Sequence, residues 1–249
     1  MFLHRFEDIL WKVMPDSKSG ILVCELRNKQ ERQVYYAVGS LLKGKMDILP
    51  SEEIPAWWVG LLEIFGQVAL LHGYEKEGLP NHKGVYAIDL LTGKLLWSRE
   101  DAVMAQTFVE GIQLEDGQVL NWENGQQTDK EVSIPLQEVR DEIRHFPSLH
   151  LESSAIFDNW KQKLEQVQGI TPVYQMACWE NEHQAYLQLY QGEIGKDLKS
   201  SWMSWDKANK QWEILGEAAC EKLMLDSFFV EGDFLFYSPD SHTVVWQQL

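Results

Sequence analysis

A β-rich run, a polar turn and a tryptophan soon after recur along this chain, and this recurrence constrains its fold more than any other feature. Residues 84–90 lead through Leu91-Thr92-Gly93 into 94–97, which ends on Trp97. Residues 111–114 turn at Glu115-Asp116-Gly117 into 118–122, which ends on Trp122. Residues 202–206 turn at 207–209 into 210–214, which carries Trp212, and 233–237 turn at 238–242 into 243–246, which ends on Trp246. Trp11, in 8–12, is a candidate fifth member. Two more hairpins pair 21–26 with 33–38 and 58–64 with 67–72. Short apolar runs bounded by polar turn residues read as antiparallel strands. Gly93 supplies the positive φ that a tight turn needs.

The repeats have a size. Residues 57–99 hold four strand candidates, as do 172–215, with shorter units at 103–131 and 223–246. A unit of roughly 40–50 residues with four strands is the dimension of a propeller blade. The 249 residues then leave room for about five or six blades. The expected fold is all-β, an antiparallel, propeller-like single domain over 1–249, with 135–169 as an irregular or helical insertion. Within it, 155–167 is expected to be helical, with Ile156, Phe157, Trp160, Leu164 and Val167 on one face. Ser153 or Ser154 is its N-cap and Gly169 its stop. In 135–146, Leu136, Val139, Ile143 and Phe146 fit a helix while their neighbours are strands, so both readings stay open. At the N-terminus Ile9, Trp11 and Val13 alternate, although Phe6, Ile9, Leu10 and Val13 also fit a helix. An unpaired sheet edge is a liability, so 6–13 is expected to pair with the C-terminal blade.

Lys83 to Trp97, with Asp89, Thr92-Gly93-Lys94 and Trp97, resembles the repeat of quinoprotein-type (PQQ-like) β-propellers. The other units keep a turn and a Trp but lose Thr-Gly-Lys. The length, and a helix ahead of a β-rich C-terminal part, also resemble an uncharacterised bacterial family of propeller-like proteins, which implies a fold and no function. Quinoprotein dehydrogenases have longer, eight-bladed chains with Ca²⁺ ligands and a quinone pocket, and nothing here matches those sites. No cofactor is therefore expected. The repeated Trp has a packing explanation, as a large ring filling the gap between blades.

Catalytic signatures are missing. Gly39 to Lys45 has the G-x-x-x-x-G-K spacing of a phosphate loop, but Met46 stands where Ser or Thr would hold Mg²⁺. The next residues hold Pro50 and Pro55 and cannot form the required helix. A turn between strands is expected. The seven histidines, His4, His72, His82, His145, His150, His183 and His242, form no HxH, HxxxH or HExxH pair. Glu75-Lys76-Glu77 and Glu115-Asp116 read as solvated turns without a calcium-loop pattern. Cys178 and His183, five apart, would face opposite sides of a strand. No G-x-S-x-G elbow is present.

Charge narrows the partners. With 22 Lys and Arg against 38 Asp and Glu, the formal charge is −16, and no basic stripe offers itself to nucleic acid or to an anionic membrane. No leader-like apolar run and no membrane-length stretch occur. Cys24, Cys178 and Cys220 make no disulfide framework. A cytoplasmic, acidic protein is expected. The first functional expectation is a non-catalytic module that binds a protein or peptide. The alternative is a small-ligand or metal-binding protein, or an enzyme, that uses a central channel. Trp57, Trp58, Trp202 and Trp205, with Tyr186 and Tyr190, are dense in the two best units; core packing is the favoured reading, but alternation buries only half of a strand's residues, so the four tryptophans are also candidate partner-binding rings.

Overall fold

The structure, a computed structural model, describes residues 1–50, 53–75, 81–223 and 228–249, and for 167–168 the backbone alone. β1 (Phe2–Arg5) opens the chain. β2 (Ile9–Asp16), β3 (Ile21–Asn28), β4 (Gln33–Ser40) and β5 (Met46–Leu49) form a four-stranded antiparallel meander. β6 (Val59–Phe65), β7 (Val68–Tyr74), β8 (His82–Asp89) and β9 (Leu95–Arg99) form the next. β10 (Met104–Thr107), β11 (Ile112–Leu114) and β12 (Val119–Leu120) make a three-stranded sheet. Then come α1 (Leu136–Ile143), β13 (Arg144–His145), β14 (Ser148–Leu151) and α2 (Ala155–Gln168). β15 (Val173–Glu180), β16 (Gln184–Gln191), β17 (Lys199–Asp206) and β18 (Gln211–Ala219) follow β14 in one five-stranded sheet. The last strands, β19 (Phe228–Glu231), β20 (Phe234–Asp240) and β21 (Thr243–Gln248), are neighbours in one further sheet. Among the described residues, five antiparallel sheets of three to five strands make this an all-β, propeller-like fold, within the range of five or six blades.

By internal contacts the chain falls into two compact units, where the sequence reading expects one domain over 1–249. One is Phe2–Arg144 with Glu231–Phe234; the other is His145–Val230 with Leu235–Leu249 and Met1. In the first, Val23 and Tyr36 of one meander meet Leu61, Ile64 and Leu71 of the next. Val68, Leu70 and Trp97 meet Ile112 and Leu120 of the three-stranded sheet and Trp122 in the turn after it. In the second, Phe157, Trp160 and Leu164 of α2 cover Met176, Leu187 and Met203. Tyr186 and Trp202 pack with Phe228, Leu235, Tyr237 and Val245.

One local device sets the hairpins. The turns at 16–20, 28–32, 89–93, 121–125 and 206–210 each open on Asp or Asn, whose Oδ1 accepts from the second and third N–H groups that follow. The pairs are Lys18 and Ser19 at 3.1 and 3.3 Å, Gln30 and Glu31 at 3.1 and 3.0 Å, and Leu91 and Thr92 at 3.0 and 2.7 Å. Glu123 and Asn124 donate to Asn121 at 2.9 and 3.3 Å, and Ala208 and Asn209 to Asp206 at 2.9 Å each. The fifth residue turns left-handed: Gly20 at φ 72°, Arg32 at 53°, Gly93 at 72°, Gly125 at 63° and Lys210 at 53°. Carboxylate and carboxamide serve equally because only one acceptor oxygen is needed. At Gly125 the neighbours add a second demand, since a Cβ there would sit 2.5 Å from Trp97 Cδ2.

Three expectations need correction. Residues 6–13 do not pair with the C-terminal sheet. Ile9–Asp16 pairs with Ile21–Asn28 across the turn at 16–20. A capped turn directly after Asp16 ties this segment to its own hairpin. The region 135–169, expected to be irregular or helical, carries α1, α2 and the strand Ser148–Leu151, which pairs with Gln175–Cys178. Ser154 caps α2 by accepting from Phe157 N at 3.2 Å, and Gly169 at φ 65° ends it. Ile156 is 49% exposed, one position off the buried Phe157–Trp160–Leu164 face; the Val167 side chain lies outside the described residues. Trp122 lies in a turn, because β12 ends at Leu120.

Candidate aromatic binding face

The best-built surface of the first unit begins with a bulge. The β2–β3 register jumps from Leu10↔Leu26 to Lys12↔Glu25, leaving Trp11 without a partner residue. A bulge of this kind re-aims the side chain it releases, and Trp11 is 57% exposed. Its ring lies over the Arg27 guanidinium, 4.9 Å from ring centroid to Cζ. The half-buried Trp57 lies 5.4 Å from the same Cζ. Arg27 is itself buried and fixed: Nε donates to Glu25 Oε1 at 2.7 Å and Nη2 to Val59 O at 2.9 Å. Glu25 Oε2 accepts from Leu61 N at 2.6 Å. The Glu25–Arg27 pair therefore clips β3 to β6 and serves as a rigid seat for two indoles.

The row of rings continues. Trp57 and Trp58 meet edge to face at 6.3 Å, and Trp58 meets Tyr74 at 6.4 Å. Tyr74 contacts His72 at 4.8 Å and His82 at 5.4 Å, and the two imidazoles lie 3.7 Å apart. Arg32 Cζ stands 5.8 Å from the Trp58 ring. Tyr74 is placed by its N–H, which donates to Trp58 O at 3.1 Å. Gly60 leaves room for His72, whose Nε2 would stand 2.9 Å from any Cβ there. Edge-to-face pairs and guanidinium–indole stacking each add to burial and hold rings in one orientation.

Burial, then His82 and Lys12, push the His72 imidazole down to about 4. The folded chain thus keeps His72 neutral at a pH where the unfolded chain protonates it, near 6.5. Stability is then complete above about pH 6.5 and falls as pH drops toward 4. The expected loss is on the order of 2 kcal/mol, reduced from about 1.4 per pH unit because exposed His82 lets solvent screen the pair. Urea midpoints at pH 7.5 and 4.5 check this, and His72→Gln should flatten the difference.

Behind the rings lies a buried ionic network. Arg140 Nη2 meets Glu63 Oε1 at 2.6 Å, and its Nη1 lies 3.8 Å from Glu231 Oε1. Arg140 also donates to Pro15 O at 2.9 Å and Ile64 O at 2.8 Å. Arg144 Nε donates to Glu231 Oε2 at 2.7 Å, and Ser17 N donates to Glu231 Oε1 at 3.1 Å. Lys12 Nζ donates to Leu61 O at 2.9 Å, and burial lowers its pKa. The network fastens α1 to β2 and β6.

The other candidate residues stand apart from this face. Trp202 is 2% exposed and stacks on Tyr237 at 5.3 Å, so its ring is core. Trp205 is half-buried against Trp212 at 4.8 Å, and Tyr186 and Tyr190 are buried. Gly39 and Ser40 end β4, and residues 41–45 make the turn into β5. Asp116 caps its own turn through Gln118 N at 3.0 Å; Glu75 is exposed, and Lys76 and Glu77 lie outside the described residues. Cys178 is buried, which pushes its thiol up to about 12. Among the described residues, no group of three His, Cys, Asp or Glu side chains could hold a metal ion. None of the described helices is long and apolar enough to cross a membrane.

Residues 15–97 match the model of a domain family of unknown function, DUF4905. That stretch carries Arg27, Trp57, Trp58, Tyr74 and both imidazoles, and stops short of Trp11. No curated protein matches. Among solved structures, the β-propeller domain of the Trilobed protease from Pyrococcus furiosus is similar at 10% identity, covering 98% of this chain and 70% of that one, with a TM-score of 0.33. An acylaminoacyl peptidase from Pyrococcus horikoshii is similar at 9% identity, covering 94% of this chain and 36% of that one, with a TM-score of 0.28. This chain spans about a third of that peptidase. Likeness at these TM-scores carries no argument about activity.

Proposed function

We propose that the chain is a non-catalytic module that binds a protein or peptide on the face formed by Trp11, Arg27, Trp57, Trp58 and Tyr74. The observation that carries this reading is the bulge that places Trp11 outward over an arginine fixed by Glu25 and Val59 O. Trp, Tyr and Arg are the residues that dominate binding energy at interfaces, and they act best when held rigid before the partner arrives. A cytoplasmic setting accords with three free cysteines, two of them buried.

Selection of peptides from a random display library on the full chain tests this. Selected peptides should bind with saturable quenching of tryptophan fluorescence. Trp11→Ala should weaken them by about 2 kcal/mol, the scale of an interface hot spot, while melting like the parent. A library that yields no binder, or binders indifferent to Trp11→Ala and Trp58→Ala, would overturn the reading.

A further inference from the structure

A second site lies in the same unit, on the far end of the ionic network. α1 and the β6–β7 turn enclose a cavity of about 290 Å³. Its wall is mostly apolar, built from Ile64, Phe65, Val109, Leu136, Val139 and Ile143. Arg140 lies in that wall and is only 5% exposed. Its two terminal nitrogens are committed to Pro15 O, Ile64 O and Glu63, yet its Nε is buried with no hydrogen-bond partner. A buried donor without an acceptor is a position where an incoming acceptor gains most. Lys18 stands at the rim beside Asp16 and Ser19.

The charges point the same way. Among the described residues that line the cavity, Arg140 and Lys18 are cationic and Asp16 is the one carboxylate. Burial opposes an uncompensated charge, so a single added anion suits this region and a cation does not. An apolar pocket with few polar groups is the usual form of a small-ligand site, and about 290 Å³ is at the small end of the range of roughly 300–1,000 Å³.

We propose that this cavity binds a small amphiphilic monoanion, a carboxylate of medium chain length. The carboxylate accepts from Arg140 Nε, and the hydrocarbon chain lies against Phe65, Val109 and Val139. Calorimetric titration of the full chain with sodium octanoate is the test, with butyrate as charge without tail, 1-octanol as tail without charge, and octylamine as the opposite charge. Octanoate should bind one to one and raise the melting temperature, with each of the other three at least tenfold weaker. Arg140 also holds the fold, so the variant that decides is Val139→Trp, which fills the cavity from the half-buried face of α1. It should keep the parent circular dichroism and lose octanoate binding at least tenfold, while exposed Glu138→Ala on the same helix keeps it. Should Val139→Trp misfold, Val109→Phe fills the cavity from a different segment and should behave alike. No octanoate binding at millimolar concentration, equal binding of octanol or octylamine, or binding unchanged in a folded cavity-filling variant would overturn the proposal.

Discussion

Arg140→Met should lower the stability of the chain by about 3–5 kcal/mol, the usual cost of removing one partner from a buried ion pair. Methionine matches much of the stem's volume, so the loss is electrostatic rather than a cavity. Glu63 would lose its 2.6 Å partner, and Pro15 O and Ile64 O would lose their donors. Arg144 would still hold Glu231 through Nε at 2.7 Å. The double variant Arg140→Met/Glu63→Gln should therefore recover a large part of the loss, because it removes the carboxylate left unpaired. Urea unfolding of the two single variants and the double variant closes the cycle. A loss under about 1 kcal/mol for Arg140→Met would mean that the network contributes no more than a surface pair does.

Trp122→Ala should cost a similar amount, about 3–5 kcal/mol for deletion of a large buried aromatic. Its ring is 4% exposed and stacks on Phe65 at 5.2 Å. Its Nε1 donates to Phe108 O at 3.0 Å, and its carbonyl accepts from Trp97 Nε1 at 2.9 Å. The two indoles thus link the β6–β9 sheet to the β10–β12 sheet. Trp11→Ala should stay within about 0.5 kcal/mol of the parent, as an exposed substitution does. Thermal melts of the two variants side by side check the contrast, and a large loss for Trp11→Ala would assign that ring to the core.

That contrast shows what a linear pattern conveys. Trp97, Trp122 and Trp246 recur after turns and are buried, and the first two join neighbouring sheets. Trp11 resembles them in sequence, but a register jump at its own position turns it outward, and nothing in 8–12 announces a bulge. The hairpins were legible because their turns are local: Asp89 and Thr92-Gly93 carry the whole instruction within five residues. The Asp16 and Asn121 turns use the same chemistry with Ser or Asn at the fourth place, so a search for Thr-Gly-Lys passes them by.

The ionic network was not legible for the opposite reason. Arg140 reaches Ile64 O across 76 positions and Pro15 O across 125. In 135–146 it looks like one more charge on the wet side of an amphipathic helix. His72 and His82 likewise make no metal-type spacing. They meet because β7 and β8 are neighbours whose register shifts between His72 and Tyr74. Trp57 and Trp58 could be singled out by density alone. Trp202 and Trp205 looked the same by that measure; burial sets Trp202 apart, and Trp205, half-buried like Trp57, is set apart by its packing on Trp212.

The capped turns also bear on how the polypeptide is made. The β2–β3 and β3–β4 hairpins take their register from capped turns of five residues, and β2 to β5 are consecutive neighbours ending at Leu49. Strands adjacent in sequence need little loop closure before they pair, which favours fast, local folding. A meander can therefore assemble while later residues are still on the ribosome, and its apolar faces wait only for the next meander to emerge.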